Sequence, residues 1–187
     1  SASLSIAHNA TGSPGSVALS GTGLAGTLGL SATSLAFGAQ PVNTTTVTQT
    51  VTVTNSGTAS VSFTSFTLGG TNAADFSLGG GTCAVGTPLP ASSSCTVVFG
   101  FRPTATGSRS GTLTIASNAS NASVVISDGG TGTAAEAGVS PASVSFGSAL
   151  VGATSATQTV TVSNSGTAAL VLGTLSSGSS EFLLTGG

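Results

Sequence analysis

Two segments of the chain are near copies. TQTVTVTNSGTA spans 48–59 and TQTVTVSNSGTA spans 157–168, identical at eleven of twelve positions and offset by 109 residues. At the same offset SLAFG (34–38) pairs with SVSFG (143–147), LSIAHNA (4–10) with LTIASNA (113–119), and GTG (21–23) with GTG (130–132). Further on, the offset slips to 106, where DFSLGGG (75–81) faces EFLLTGG (181–187). A period near 109 is too long for a solenoid repeat of roughly 20–50 residues. It is the size of one β-sandwich, about 100 residues.

The pattern inside the unit agrees. In VTQTVTV, Val47, Gln49, Val51 and Val53 fall on one side and Thr48, Thr50 and Thr52 on the other, the period of two of a strand with one buried face. Cys95, Val97, Phe99 and Phe101 alternate likewise, as do Leu113 and Ile115. NSGT after each Val/Thr run supplies turn residues. Strands are predicted near 28–37, 46–54, 60–68, 74–78, 94–101, 110–116 and 123–127, separated by turn-rich stretches, which favours a sandwich. No segment carries a capped apolar stripe of helical period, so almost no helix is expected.

The repeat also predicts boundaries. Residues 24–134 hold a complete unit; 1–23 match only the last strands of a unit (110–132), and 135–187 match its first half. Short junctions at 21–27 and 130–138 predict adjacent domains in contact. Two strands alone cannot bury an apolar face, and their edges stay unpaired. Either the missing parts belong to a longer array, or the head (1–23) of one copy completes the tail (135–187) of the next by strand complementation. The array reading is preferred, because head and tail together lack the counterpart of 82–109.

Charged residues are 3% of the chain, against roughly 25% in an ordinary domain. Asp75, Arg102, Arg109, Asp128, Glu136 and Glu181 are all of them. Two basic residues exclude a nucleic-acid footprint and a polybasic membrane patch. No apolar run approaches the ~20 residues of a spanning helix, so no membrane insertion is expected. SASLSIAHNA lacks the basic start and apolar core of a signal peptide. A nearly uncharged Ser/Thr/Gly/Asn surface points to an extracellular or polymeric setting; the bland alternative is a lineage rich in small residues. The two cysteines, Cys83 and Cys95, have no CxxC spacing. The Pro/Gly/Ser-rich stretch between them can turn back, which favours a disulfide, and so an oxidising compartment, over two free thiols.

Taken in order, LAFG, TQTVTVTNSGTA, ADF, C…PASSSC, FRPTATG, GTLTI and a closing GTG resemble the ASH-type immunoglobulin-like repeat, in the version found in bacterial choice-of-anchor D surface proteins. The resemblance covers 24–133 and both partial units. It implies tandem immunoglobulin-like β-sandwich domains of about seven to nine strands on secreted or cell-surface proteins. It gives structural roles to Phe37, Asn55, Gly57, Phe76, Phe101, Pro103 and Gly107, and pairs Cys83 with Cys95. Asn43 stands where the pattern has Gly, as at Gly152, so that turn is expected to differ. The resemblance implies no catalytic residues.

The residues offer little chemistry of their own. His8 has Ser117 as its counterpart and reads as a solvated turn residue. Asp75 and Glu181 are equivalents before Phe76 and Phe182 and read as turn or strand-edge residues without an acid–base partner. Asp128 and Glu136 flank one junction, too few carboxylates for calcium. Arg102 and Arg109 suit clipping a loop or pairing with a neighbour's acid. Thr46, Thr48, Thr50, Thr52 and Thr54 form a hydroxyl ladder best explained as an ordinary solvent face. Asn9, Asn43, Asn118 and Asn121 lie in N-x-S/T patterns that a Ser/Thr-rich chain produces by chance. The expectation is a non-enzymatic structural repeat of an extracellular fibre, filament or surface stalk, without cofactor or metal, its partners neighbouring copies in cis or in trans. The alternatives are an adhesin or ligand-binding module for a glycan or protein, disfavoured by the absence of Trp and Tyr, and an accessory domain of a larger secreted protein or enzyme.

Overall fold

The computed structural model describes residues 1–44 and 48–185. Thr46 and Val47, expected to open a strand, lie outside the described residues. The strands are β1 (Ala2–Ile6), β2 (Gly15–Leu19), β3 (Leu28–Leu30), β4 (Ser34–Pro41), β5 (Gln49–Asn55), β6 (Val61–Gly69), β7 (Phe76–Gly81), β8 (Pro88–Leu89), β9 (Ser94–Phe101), β10 (Gly107–Ser117), β11 (Ser123–Thr133), β12 (Ala137–Ser140) and β13 (Thr161–Asn164). One helical turn, Ala73–Asp75, leads into β7.

Strands β3 to β11 make two sheets. One has the order β4-β11-β10-β6-β8 and the other β3-β5-β9-β7. Strands β5, β9 and β10 bury alternate residues through most of their length, as a period of two requires. On β9 the buried positions are Cys95, Val97, Phe99 and Phe101; on β5 they include Val51 and Val53. These meet Leu35, Phe37, Val61, Phe63, Leu113, Ile115 and Ile126 of the facing sheet in one core. The fold is an all-β sandwich of two facing sheets. Its sheets are antiparallel except at one edge, where β4 runs parallel to β11.

That edge explains a departure from expectation. The predicted strand 28–37 is two strands in different sheets. Leu28–Leu30 pairs with β5, the chain crosses at 31–33, and Ser34–Pro41 pairs with β11. The crossing shows in the alternation only as a change of phase: Leu28 and Leu30 face inward in the first half, Leu35 and Phe37 in the second. Strands β10 and β11 also extend well beyond the predicted 110–116 and 123–127. Gly111 and Gly130, the latter assigned to a junction, both lie within strands and make room for rings. A Cβ on Gly111 would overlap Phe76, and one on Gly130 would overlap Phe101.

Outside the two sheets lie two hairpins. β1 pairs with β2, placing Leu4 opposite Val17, and β12 pairs with β13, placing Ala137 opposite Asn164. Shifted by 109 residues, the first is the register of Leu113 with Ile126 in β10–β11. The second is that of Leu28 with Asn55 in β3–β5. Both hairpins are exposed along their whole length, save single partly buried positions.

Candidate functional site

The repeated NSGT turn works as a clasp. Asn55 is fully buried at the end of β5. Its Oδ1 accepts from the backbone N–H of Thr27 (3.2 Å) and of Gly57 (3.0 Å). Its Nδ2 donates to the carbonyls of Ala59 (2.8 Å), Leu89 (3.0 Å) and Pro90 (3.2 Å). One side chain thus ties the incoming segment 25–28 to the turn and to the 88–90 loop. Gly57 lets that segment pass close, since a Cβ there would overlap the carbonyl of Ala25. Thr58 and Ala59 then donate to the same carbonyl. The second turn reproduces this. Asn164 Oδ1 accepts from Glu136 N and Gly166 N, and its Nδ2 donates to the carbonyl of Ala168 at 2.7 Å. Asn164 is exposed, however, where Asn55 is buried.

A ring cluster closes one end of the sandwich. Phe37, Phe76 and Phe101 lie with centroids 5.0–6.1 Å apart. Pro103 is buried beside them in sequence, its carbonyl accepting from Asn43 N at 2.8 Å, and Gly107 opens β10. Asn43 adopts φ 62°, the left-handed region that Gly152 also occupies at φ 85°. The turn keeps its handedness because Asn tolerates that region better than other side chains.

Asp75 sits in the helical turn just before β7, as its position suggested, but it is buried and has partners. It is 4% exposed. Its Oδ1 accepts from Thr104 N (3.1 Å) and Thr104 Oγ1 (2.7 Å), and its Oδ2 lies 3.1 Å from Arg109 Nε as an ion pair. Arg109 Nε also reaches the Ala105 carbonyl, and Arg102 Nε donates to the Asn43 carbonyl. The signal was present in FRPTATGSR: both cations of a nearly uncharged chain fall within eight residues, which points to a local anchor. Glu181, the counterpart of Asp75, is exposed.

Asp128 is the other surprise. It faces the core from β11, opposite Gly111, and is 3% exposed. Neither carboxylate oxygen has a hydrogen-bond partner. Burial pushes its pKa from 3.8 up to about 6. Glu136 is exposed at the junction. Among the described residues, no three His, Cys, Asp or Glu side chains gather as a metal site. His8 is exposed, its Nδ1 accepting from Ala10 N. Thr50, Thr52 and Thr54 lie on the outer face of β5; Thr54 Oγ1 meets Ser94 Oγ at 2.9 Å. Asn121 spends its amide on both backbone groups of Leu28.

Cys83 and Cys95 are joined by a disulfide that fastens the 83–95 loop to the core face of β9. The bond fits an oxidising compartment. No helix among the described residues is long and apolar enough to cross a membrane.

No family model and no curated protein matches the chain. Solved structures similar to it include a protein of unknown function from Porphyromonas gingivalis W83 (15% identity, TM-score 0.47, covering 57% of this chain and 46% of that one). They also include the VesB protease of Vibrio cholerae (17%, 0.45, 56% and 31%). A third is the ASH/PapD-like domain 7 of human CEP192 (13%, 0.45, 69% and 99%). The chain spans less than half the length of the first two. Likenesses this loose transfer no activity, and the sandwich stands on its own sheets. They do correct the expectation that the chain is not an enzyme. The VesB protease stands among the similar structures, and the match covers 31% of it.

Proposed function

We propose that the chain is a structural module of an extracellular stalk or fibre, in which sandwiches of this type follow one another head to tail. The observation that carries this reading is the register of the two flanking hairpins. β1–β2 and β12–β13 pair as β10–β11 and β3–β5 do, each displaced by 109 residues. The flanks then stand for the end of one unit and the beginning of another, with 24–134 as the complete unit between them. The clasp supports a stiff joint. Asn55 and Asn164 each bind the backbone of the segment that enters their own unit, at Thr27 and at Glu136, so each unit would be fixed close to the junction that precedes it. Low charge suits close lateral and axial packing. Disulfide and motif order agree with the choice-of-anchor D version of the ASH-type repeat on the bacterial surface. Negative-stain electron microscopy of material from the native source tests the reading. Rods or filaments with a spacing of one sandwich per period are expected, and compact single particles alone would overturn it.

A further inference from the structure

We infer that the single peptide group between Thr133 and Ala134 is a joint without a swivel: it belongs both to the sandwich that ends there and to the hairpin that follows, and so fixes the angle between them. The use of such a joint rests on the head-to-tail reading above, for which it would set the geometry of each step.

The two ends of that peptide bond are held by different parts of the chain. The Thr133 carbonyl accepts from Val42 N at 2.8 Å, in the turn that follows β4. The Ala134 N–H of the same peptide donates to Thr167 Oγ1 at 3.2 Å, in the turn that follows β13. A peptide unit is planar and its C–N bond does not turn freely, so no soft torsion lies between the two grips.

The residues on both sides are held as closely. Before the joint, β11 keeps its ladder with β4 to the last residue, Gly132 beside Gln40 and Thr133 beside Pro41. A Cβ on Gly132 would overlap the Ala105 carbonyl, so the backbone there rests directly on the backbone of the 102–107 loop. After the joint, the Ala134 carbonyl accepts from Thr167 N (2.7 Å) and Ala168 N (3.0 Å), and Glu136 N donates to Asn164 Oδ1 at 3.2 Å. A Cβ on Gly166 would overlap the Ala134 carbonyl. The last residue gripped by the sandwich and the first gripped by the following turn are therefore consecutive. A flexible linker swivels because several residues between its anchors are free to turn, and here there is none.

The entry side of the same device recurs one period earlier. Ala25 N donates to Thr58 Oγ1 at 3.4 Å, and the Ala25 carbonyl accepts from Thr58 N and Ala59 N. No ion pair takes part in either grip. Glu136 enters through its backbone N–H and is exposed. The angle is therefore expected to hold at any ionic strength, unlike one set by surface charges.

The test is a pulsed electron–electron distance measurement on the 187-residue chain with nitroxides at S127C and T161C, both exposed strand positions. The native cysteines are joined to each other, so only the introduced thiols react. One narrow distance distribution is expected, unchanged between low salt and about 1 M salt. Two glycines inserted between Thr133 and Ala134 are expected to widen it at least about twofold. T167V, which removes one grip with a side chain of similar shape, is expected to widen it less. T58V takes the same hydroxyl from the other end of the sandwich and is expected to leave it unchanged. Circular dichroism and the unfolding midpoint show that the sandwich is intact in each variant. A broad distribution in the parent, a narrow one kept by the insertion or by T167V, or T58V widening it as much as T167V would each overturn the inference. A narrow distance without rods from the native source leaves the joint standing and sinks the head-to-tail reading; rods with a broad distance do the reverse.

Discussion

Arg109 Nε lies 3.1 Å from Asp75 Oδ2, joining the start of β10 to the helical turn before β7 across a nearly uncharged molecule. The carboxylate is buried and already bound by Thr104. Removing the cation leaves a buried charge without its partner, which costs about 3 kcal/mol or more. R109A is expected to lower the urea midpoint clearly. R109A/D75N should regain part of the loss, because the uncompensated charge goes with it. A double-mutant cycle measures the coupling.

Stability should fall as pH rises through the neutral side of the acid range. Asp128 has a folded pKa of about 6 against an ordinary 3.8. The folded state therefore holds the proton more tightly. That contribution is complete below about pH 4 and is lost as pH climbs through about 6. D128N carries no titrating proton, so between pH 4 and 8 its melting profile should be flatter. At pH 8 it should exceed the parent by on the order of 1–3 kcal/mol. Calorimetry at both pH values checks the sign, and a parent that gains stability on going to pH 8 would contradict it.

The two clasps predict unequal costs. N55A removes five hydrogen bonds and strands buried backbone groups, an expected loss of about 2–4 kcal/mol. N164A acts on an exposed turn and should leave the midpoint of the central sandwich unchanged within about 0.5 kcal/mol. Denaturant titration of the two variants side by side separates them.

Cys83 and Cys95 are 12 residues apart, and a loop of that size constrains the unfolded chain by about 3 kcal/mol. C83S/C95S, or reduction of the parent, should lower the midpoint by a comparable amount. The β9 alternation should survive, since Val97, Phe99 and Phe101 still hold that strand in the core. Amide hydrogen exchange on β9 reports this directly.

The sandwich was legible because Val51 and Val53, or Cys95 to Phe101, alternate without interruption, and one buried face leaves that signature. The crossing at 31–33 left only a change of phase, from Leu28 and Leu30 to Leu35 and Phe37, and the two strands were read as one. Glycine misled in the other direction: Gly130 was assigned to a junction and is the seat for Phe101 within β11. Asn55 could be picked out from its motif, but not its five bonds, whose partners lie up to 35 positions away. The burial of Asp75 and Asp128 was not legible: it is set by the packing of the helical turn before β7 and of β11 against the facing sheet, which local sequence does not show.

The parallel pairing of β4 with β11 also sets how the module bears load. Beyond the short β3, which pairs with β5, the chain enters β4 at its start and leaves at the end of β11, and these two strands run side by side in one direction. Tension applied to the two ends therefore slides one strand along the other. The ladder bonds between them are strained together in shear instead of being unzipped one at a time. A stalk assembled from such units would stretch little and then yield unit by unit, each sandwich acting as a separate mechanical fuse.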